Sequence, residues 1–180
     1  MARLPESARR WRAIRVLEIT ECGLTTLPDV SEWTELEALR VANNALTAVP
    51  ETLLALPNLR WLDLRGNPLD TLPPVRAPLQ GLSIEGIPGG ADSYPTTLTT
   101  LDLTRCGLTE IPEGIRHCRA LVNLDLSHNP LHALPDWVGT LPSLVGLYLQ
   151  GTQITHLSDA ILAAPSLSYI NPAALKRRRR

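Results

Sequence analysis

Two groups of side chains in this 180-residue chain have types and spacings that could do chemistry. Cys118 stands among Arg116, His117 and Arg119. Neighbouring cations are what turn a thiol into a nucleophilic thiolate. His128 and His132 lie four residues apart, the interval at which two imidazoles on one helix face can share a metal ion. Context removes both readings. Asn129 and Pro130 separate the histidines in a strand-to-loop segment, so helical ligand spacing does not apply. Cys118 occupies a leucine position of the pattern described below, where a thiol is buried and inert. No C-x-x-C, H-E-x-x-H or G-x-S-x-G motif occurs. The sole lysine, Lys176, is far from Gly89-Gly90, so no phosphate-binding loop forms. The expectation is a protein that is not an enzyme and holds no metal or cofactor. A third group remains, Trp61, Asp63 and Arg65, at alternate positions. Its chemistry is recognition.

What positions that group is a spacing of leucines. "LVNLDLSHNPLHALP" (Leu121 to Pro135) reads L-x-x-L-x-L-x-x-N-x-L-x-x-L-P. The frame returns from Ile14, Leu36, Leu59, Leu98 and Leu144, with a degenerate copy from Leu79 and half a copy from Leu167. Within L-x-L the apolar residues alternate, so both face one side of a short strand. One copy cannot bury that side alone, and stacking the copies makes a continuous core. Eight parallel strands at ~4.8 Å spacing give a sheet roughly 35–40 Å long. The strand side is tighter than the return side, so the stack curves with its sheet on the concave face.

The frame resembles the leucine-rich-repeat family, and the likeness covers nearly the whole chain. Successive middle apolar positions lie 22 or 23 residues apart, except for 20 from Leu62 to Leu82 and 19 from Leu82 to Leu101. The short copies look like the 20-residue repeats of bacterial secreted effectors. The long ones look like the 23-residue repeats of intracellular interaction proteins. The resemblance implies an α/β fold: a right-handed solenoid, or horseshoe, spanning 1–175. Its curved parallel sheet has about eight strands, with short helices, 3-10 turns or extended segments on the convex side. The ladder column of the frame reads Cys22, Asn44, Asn67, Ile87, Cys106, Asn129 and Thr152. Its amides satisfy backbone groups that no sheet reaches. The irregular copy at 79–97 contains "IEGIPGGADSYP", whose adjacent glycines permit a tight turn. Two readings stand for this stretch, a shortened loop that changes curvature or a notch for a partner.

Function in such proteins usually resides on the concave strands. The resemblance therefore implies a non-enzymatic scaffold that binds a protein partner there. Outward positions three and five of each strand bring up Arg40, Trp61, Asp63, Asp102, Asp125, Tyr148 and Tyr169. Positions seven and eight add Arg65, Glu85, Arg105 and His128. Tryptophan, tyrosine and arginine are enriched among binding hot spots. The bland alternative for the charges is cross-strand pairing, as of Arg40 with Glu18 or Asp63. Gly81 and Ser83, beside Trp61, are expected to leave low ground for a partner side chain. Trp137 is a second aromatic, on the convex side.

"LPESARRWRAIRVL" (Leu4 to Leu17) matches "IPEGIRHCRALVNL" (Ile111 to Leu124) in frame, so the chain opens inside the return half of a repeat. Trp11 takes the place of Cys118, and both Trp11 and Trp33 read as core. The chain stops soon after its last strand, which suggests end-to-end association through an uncapped repeat. Residues 16–175 hold seven basic against 17 acidic residues, a net charge of -10, while both ends are basic. The tail at 176–180 supports a rival reading, a nucleic-acid-associated factor. The acidic face disfavours that partner. Another alternative is the recognition module of a secreted effector. No apolar run reaches the ~18 residues of a membrane span, and Met1 to Pro5 lack a signal-peptide core. Sixteen arginines against one lysine suggest a GC-rich bacterial gene. The expected compartment is the cytoplasm, or a host cell for an effector. All three cysteines are expected to be buried thiols, with Cys22 and Cys106 too far apart to pair.

Overall fold

The computed structural model describes residues 2–86 and 93–172. Eight short strands form one wholly parallel sheet in which strands successive along the chain are neighbours in space. In chain order these are β2 (Val16–Glu18), β4 (Ala38–Arg40), β5 (Trp61–Asp63) and β6 (Gly81–Ser83). They continue with β7 (Thr100–Asp102), β8 (Asn123–Asp125), β9 (Gly146–Leu149) and β10 (Tyr169–Pro172). The register never slips: Val16, Ala38, Trp61, Gly81, Thr100, Asn123, Gly146 and Tyr169 form one row across the sheet. A slip of one residue would turn every leucine outward, so the buried row fixes the pairing. That row is Leu39, Leu62, Leu82, Leu101, Leu124 and Leu147, all buried. A separate two-stranded pair, β1 (Ala2–Arg3) with β3 (Leu24–Thr26), was not foreseen from the frame.

The return halves follow repeat length. Three of the 23-residue copies carry 3-10 turns, at Leu53–Ala55, Glu113–His117 and Asp136–Thr140, whereas the 22-residue copy after β2 has none. One short α-helix, α1 (Asp159–Leu162), follows them. The short repeat after β5 runs from residue 64 to residue 80 without a helix, because too few residues remain for one. At the start of the chain, the 3-10 turn Glu6–Arg10 repeats the geometry of Glu113–His117. Trp11 and Cys118 close the two turns with φ/ψ of -77/65° and -80/68°. The core is continuous along the stack and includes Trp33, whose Nε1 donates to Ala8 O at 2.7 Å. Trp11 differs from its expected core role. It is only partly buried, stacked on Trp33 at 6.0 Å between ring centroids, because no described coil lies in front of it.

The ladder asparagines work as one device. Asn129 Nδ2 donates to Leu126 O and, one repeat back, to Leu103 O, both at 2.9 Å. Its Oδ1 accepts from Leu108 N at 3.0 Å. Asn67 repeats this with Leu64 O, Val41 O and Leu46 N. Asn44 does so with Val41 O, Ile19 O and Leu24 N. Each amide therefore reaches toward the repeat before it. Thr152 turns only to its own Leu149 O. Cys106 Sγ contacts Ile84 O at 3.5 Å and is buried. Cys22 corrects the reading of three buried thiols. It is exposed, because it belongs to the first described copy of the ladder and its Sγ meets only Thr20 O. Ile87 and the Gly89-Gly90 turn lie outside the described residues, as do Ala173–Leu175 and the tail at 176–180.

Candidate recognition face

Each strand ends in a sharp corner, and the corner decides which side chains stand at the rim. Position eight of the frame has positive φ in every described copy: Glu21, Asn43, Gly66, Gly86, Arg105, His128 and Gly151, at 54 to 77°. Only glycine enters this region without cost, and other residues lose roughly 1–2 kcal/mol. Glu21, Asn43, Arg105 and His128 carry that cost and project polar side chains from the rim. Two of them lie across a glycine on the next corner. A methyl group at Gly66 would overlap the Asn43 amide, and one at Gly151 would overlap the His128 ring.

Position five has a structural duty that the frame did not reveal. Asp63, Asp102 and Asp125 each accept the N–H two residues on, from Arg65, Thr104 and Ser127, at 3.1, 3.0 and 2.8 Å. These Asx turns satisfy N–H groups where the chain leaves the strand. An aspartate at the end of the strand is the sequence signal of this turn, and its charge alone does not reveal it.

The bland reading of the charges holds for the arginines. Arg40 pairs with Glu18 at 3.2 Å and Arg105 with Glu85 at 3.0 Å. Arg65 binds Asp63 bidentately along one guanidinium edge, Nε donating to Oδ1 at 3.0 Å and Nη2 to Oδ2 at 2.7 Å. It also reaches Asp102, two strands away, at 3.7 Å. The bond to Asp63 is the main cause holding the Arg65 guanidinium above its usual pKa, with Asp102 and Glu85 adding to it. Such exposed pairs each contribute about 0–1 kcal/mol. Their effect is to occupy the arginines.

The low ground beside Trp61 is already filled. The indole lies across Gly81, where even a methyl group would overlap the ring. The span from Arg65 to Asp102 crosses Ser83 on the intervening strand. This corrects the expectation of an open recess. Trp61 itself stays 44% exposed. At the other end, Tyr148 and Tyr169 form a tilted pair with centroids 5.2 Å apart, and Tyr169 is 49% exposed. Val16, the outward residue of β2, is also exposed on this face.

Cys118 is fully buried, its Sγ donates to Pro95 O, and burial pushes its pKa up to about 11. That is the reverse of an activated thiol. His132 Nδ1 meets Pro130 O of its own turn, while His128 covers Gly151, so the two rings are engaged at different places. Among the described residues no group of three or more His, Cys, Asp or Glu is placed to hold a metal. No helix among them is long and apolar enough to cross a membrane. Trp137, on the convex side, is half-buried, and its Nε1 is buried without a hydrogen-bond partner.

The leucine rich repeat family matches residues 12–69 and 96–154, and the chain belongs to it. Similar solved structures include bacterial proteins. A leucine-rich-repeat protein of Leptospira interrogans superposes with TM-score 0.79 at 29% identity, covering 94% of this chain and 47% of its own. The chain thus spans about half the length of that protein. Internalin C2 of Listeria monocytogenes gives 0.55 at 18% identity, covering 87% of this chain and 80% of its own. The leucine-rich-repeat domain of the type III effector XopL gives 0.53 at 24%, covering 91% of this chain and 53% of its own. These last two likenesses concern the fold alone. No curated protein matches the sequence. The fold is a common scaffold for protein–protein interaction, and its members are generally interaction modules rather than enzymes.

Proposed function

We propose that this chain is a non-enzymatic recognition module that binds a protein partner on its concave face. One observation carries the reading: Trp61 stands 44% exposed at the start of β5, held flat across Gly81. A large apolar ring kept in place at a solvent-facing position suits binding better than stability. The paired arginines around it make a polar rim whose charges are already balanced. The remaining outward residues, from Arg40 to Tyr169, form the periphery of the contact.

The test is a titration of the native partner, captured from the host, against Trp61→Ala. Affinity is expected to fall by at least ~2 kcal/mol, with little change in melting temperature. Asp125→Ala, farther along the sheet, should cost less than Trp61→Ala. Normal binding by Trp61→Ala, together with loss on changing convex Trp137 to Ala, would place the interface on the other side.

A further inference from the structure

The three concave arginines are all committed, and this leaves a deficit that can be located. Arg40 takes Glu18, Arg65 takes Asp63 and Asp102, and Arg105 takes Glu85. Among the described residues, two concave acids have no ion pair, Glu21 and Asp125. Glu21 sits at the exposed corner of the first strand. Asp125 is different. It lies within the sheet, half-buried, with Tyr148 directly opposite on β9. Tyr148 leans back over Gly146, and Tyr169 tilts against it from β10. Asn123 Oδ1 also overhangs Gly146. The spot therefore combines an unpaired carboxylate, two aromatic faces and an amide oxygen, with no cation of its own.

We propose that this corner seats an arginine side chain of the protein partner. The inference rests on the concave-face reading above and names the chemistry of one anchor. Asp125 Oδ1 accepts the Ser127 N–H, which leaves Oδ2 and one further lone pair for a guanidinium fork. The planar guanidinium stacks on tyrosine faces as an ammonium does not. Charge complementarity points the same way, since residues 16–175 carry a net charge of -10.

The chain supplies its own reporters, because it has three tyrosines and Tyr94 is buried in the core. The probe is a capped glycine–arginine–glycine peptide, with citrulline in place of arginine as the neutral counterpart. It is titrated against full-length protein with 13C-labelled tyrosine rings. The ring signals of Tyr148 and Tyr169 are expected to move with the arginine peptide and not with citrulline, while Tyr94 stays still. Asp125→Asn keeps an oxygen for the Ser127 N–H and removes only the charge. It should weaken the response about tenfold. Equal shifts with citrulline, or an unchanged response in Asp125→Asn, would overturn the assignment. So would a response seen only after residues 176–180 are deleted, because the occupant would then be the chain's own basic end. If Trp61→Ala loses the partner while the tyrosines ignore arginine, the anchor is wrong and the concave reading stands.

Discussion

Asn129 shows how much one side chain can carry in this molecule. Its amide meets three carbonyls and one N–H at 2.9 to 3.3 Å, all in the interior. Asn129→Ala leaves Leu103 O, Leu126 O and the Leu108 N–H buried without this partner, while Ser127 O keeps the Arg105 N–H. Stability should fall by roughly 1–3 kcal/mol, read as a lower urea midpoint at unchanged slope. His128 offers the opposite case. Its φ is 59°, so His128→Gly relieves backbone strain. It should raise stability by up to about 1 kcal/mol in the same urea titration. The cysteines divide by burial. Exposed Cys22 should react with iodoacetamide in the native protein, while Cys106 and Cys118 react only on unfolding, as mass spectrometry would record. Cys118 also sets a pH dependence. Its folded pKa of about 11 lies above the ordinary 9.0, so between these values the unfolded chain loses a proton that the folded chain keeps. Stability should therefore decline as pH rises through that window. The burial of Cys118 was legible from its leucine position. The exposure of Cys22 was not, because a repeat frame says which side a residue faces and not whether a neighbour covers it.

Strands and turns show a similar division. The two outward rows were legible because period-2 alternation and a fixed frame leave one register. The two 3-10 turns at Glu6–Arg10 and Glu113–His117 followed from matching sequence. Side-chain reach was not legible. Arg65 spans a whole strand to Asp102 because Ser83 is short. Trp61 covers Gly81 because glycine offers nothing to stop it. Gly81→Ala tests this. The added methyl should force the indole off the sheet, so Trp61 should become more exposed and more readily quenched by iodide. The fold should hold, since the backbone at Gly81 is an ordinary strand. Gly139→Ala should behave differently. There the methyl would meet the Ala160 carbonyl where Asp136–Thr140 packs on α1. Backbone has no rotamer with which to yield, so this variant should lose thermal stability, typically 1–3 kcal/mol for overpacking.

At the scale of the whole molecule, the asymmetry of charge separates two kinds of binding. The acidic body suits a basic protein surface, whereas the arginines and lysine at the ends favour polyanions without selectivity. Deleting residues 176–180 should shorten salt-sensitive retention on heparin and leave the melting temperature unchanged. Binding to nucleic acid with sequence preference at physiological salt would argue for the rival function instead.

The backward reach of the ladder amides has a consequence for a chain leaving the ribosome. Asn44, Asn67 and Asn129 each close carbonyls and N–H groups in the coil made before them. A coil that has just emerged cannot complete its own interior, because the amide it needs lies about twenty residues further on and is not yet synthesised. At ≈ 5–20 residues per second, that wait lasts on the order of one to several seconds per coil. At each of these three asparagines growth is therefore one coil short of a closed backbone at its leading end, and the new coil finishes the one behind it.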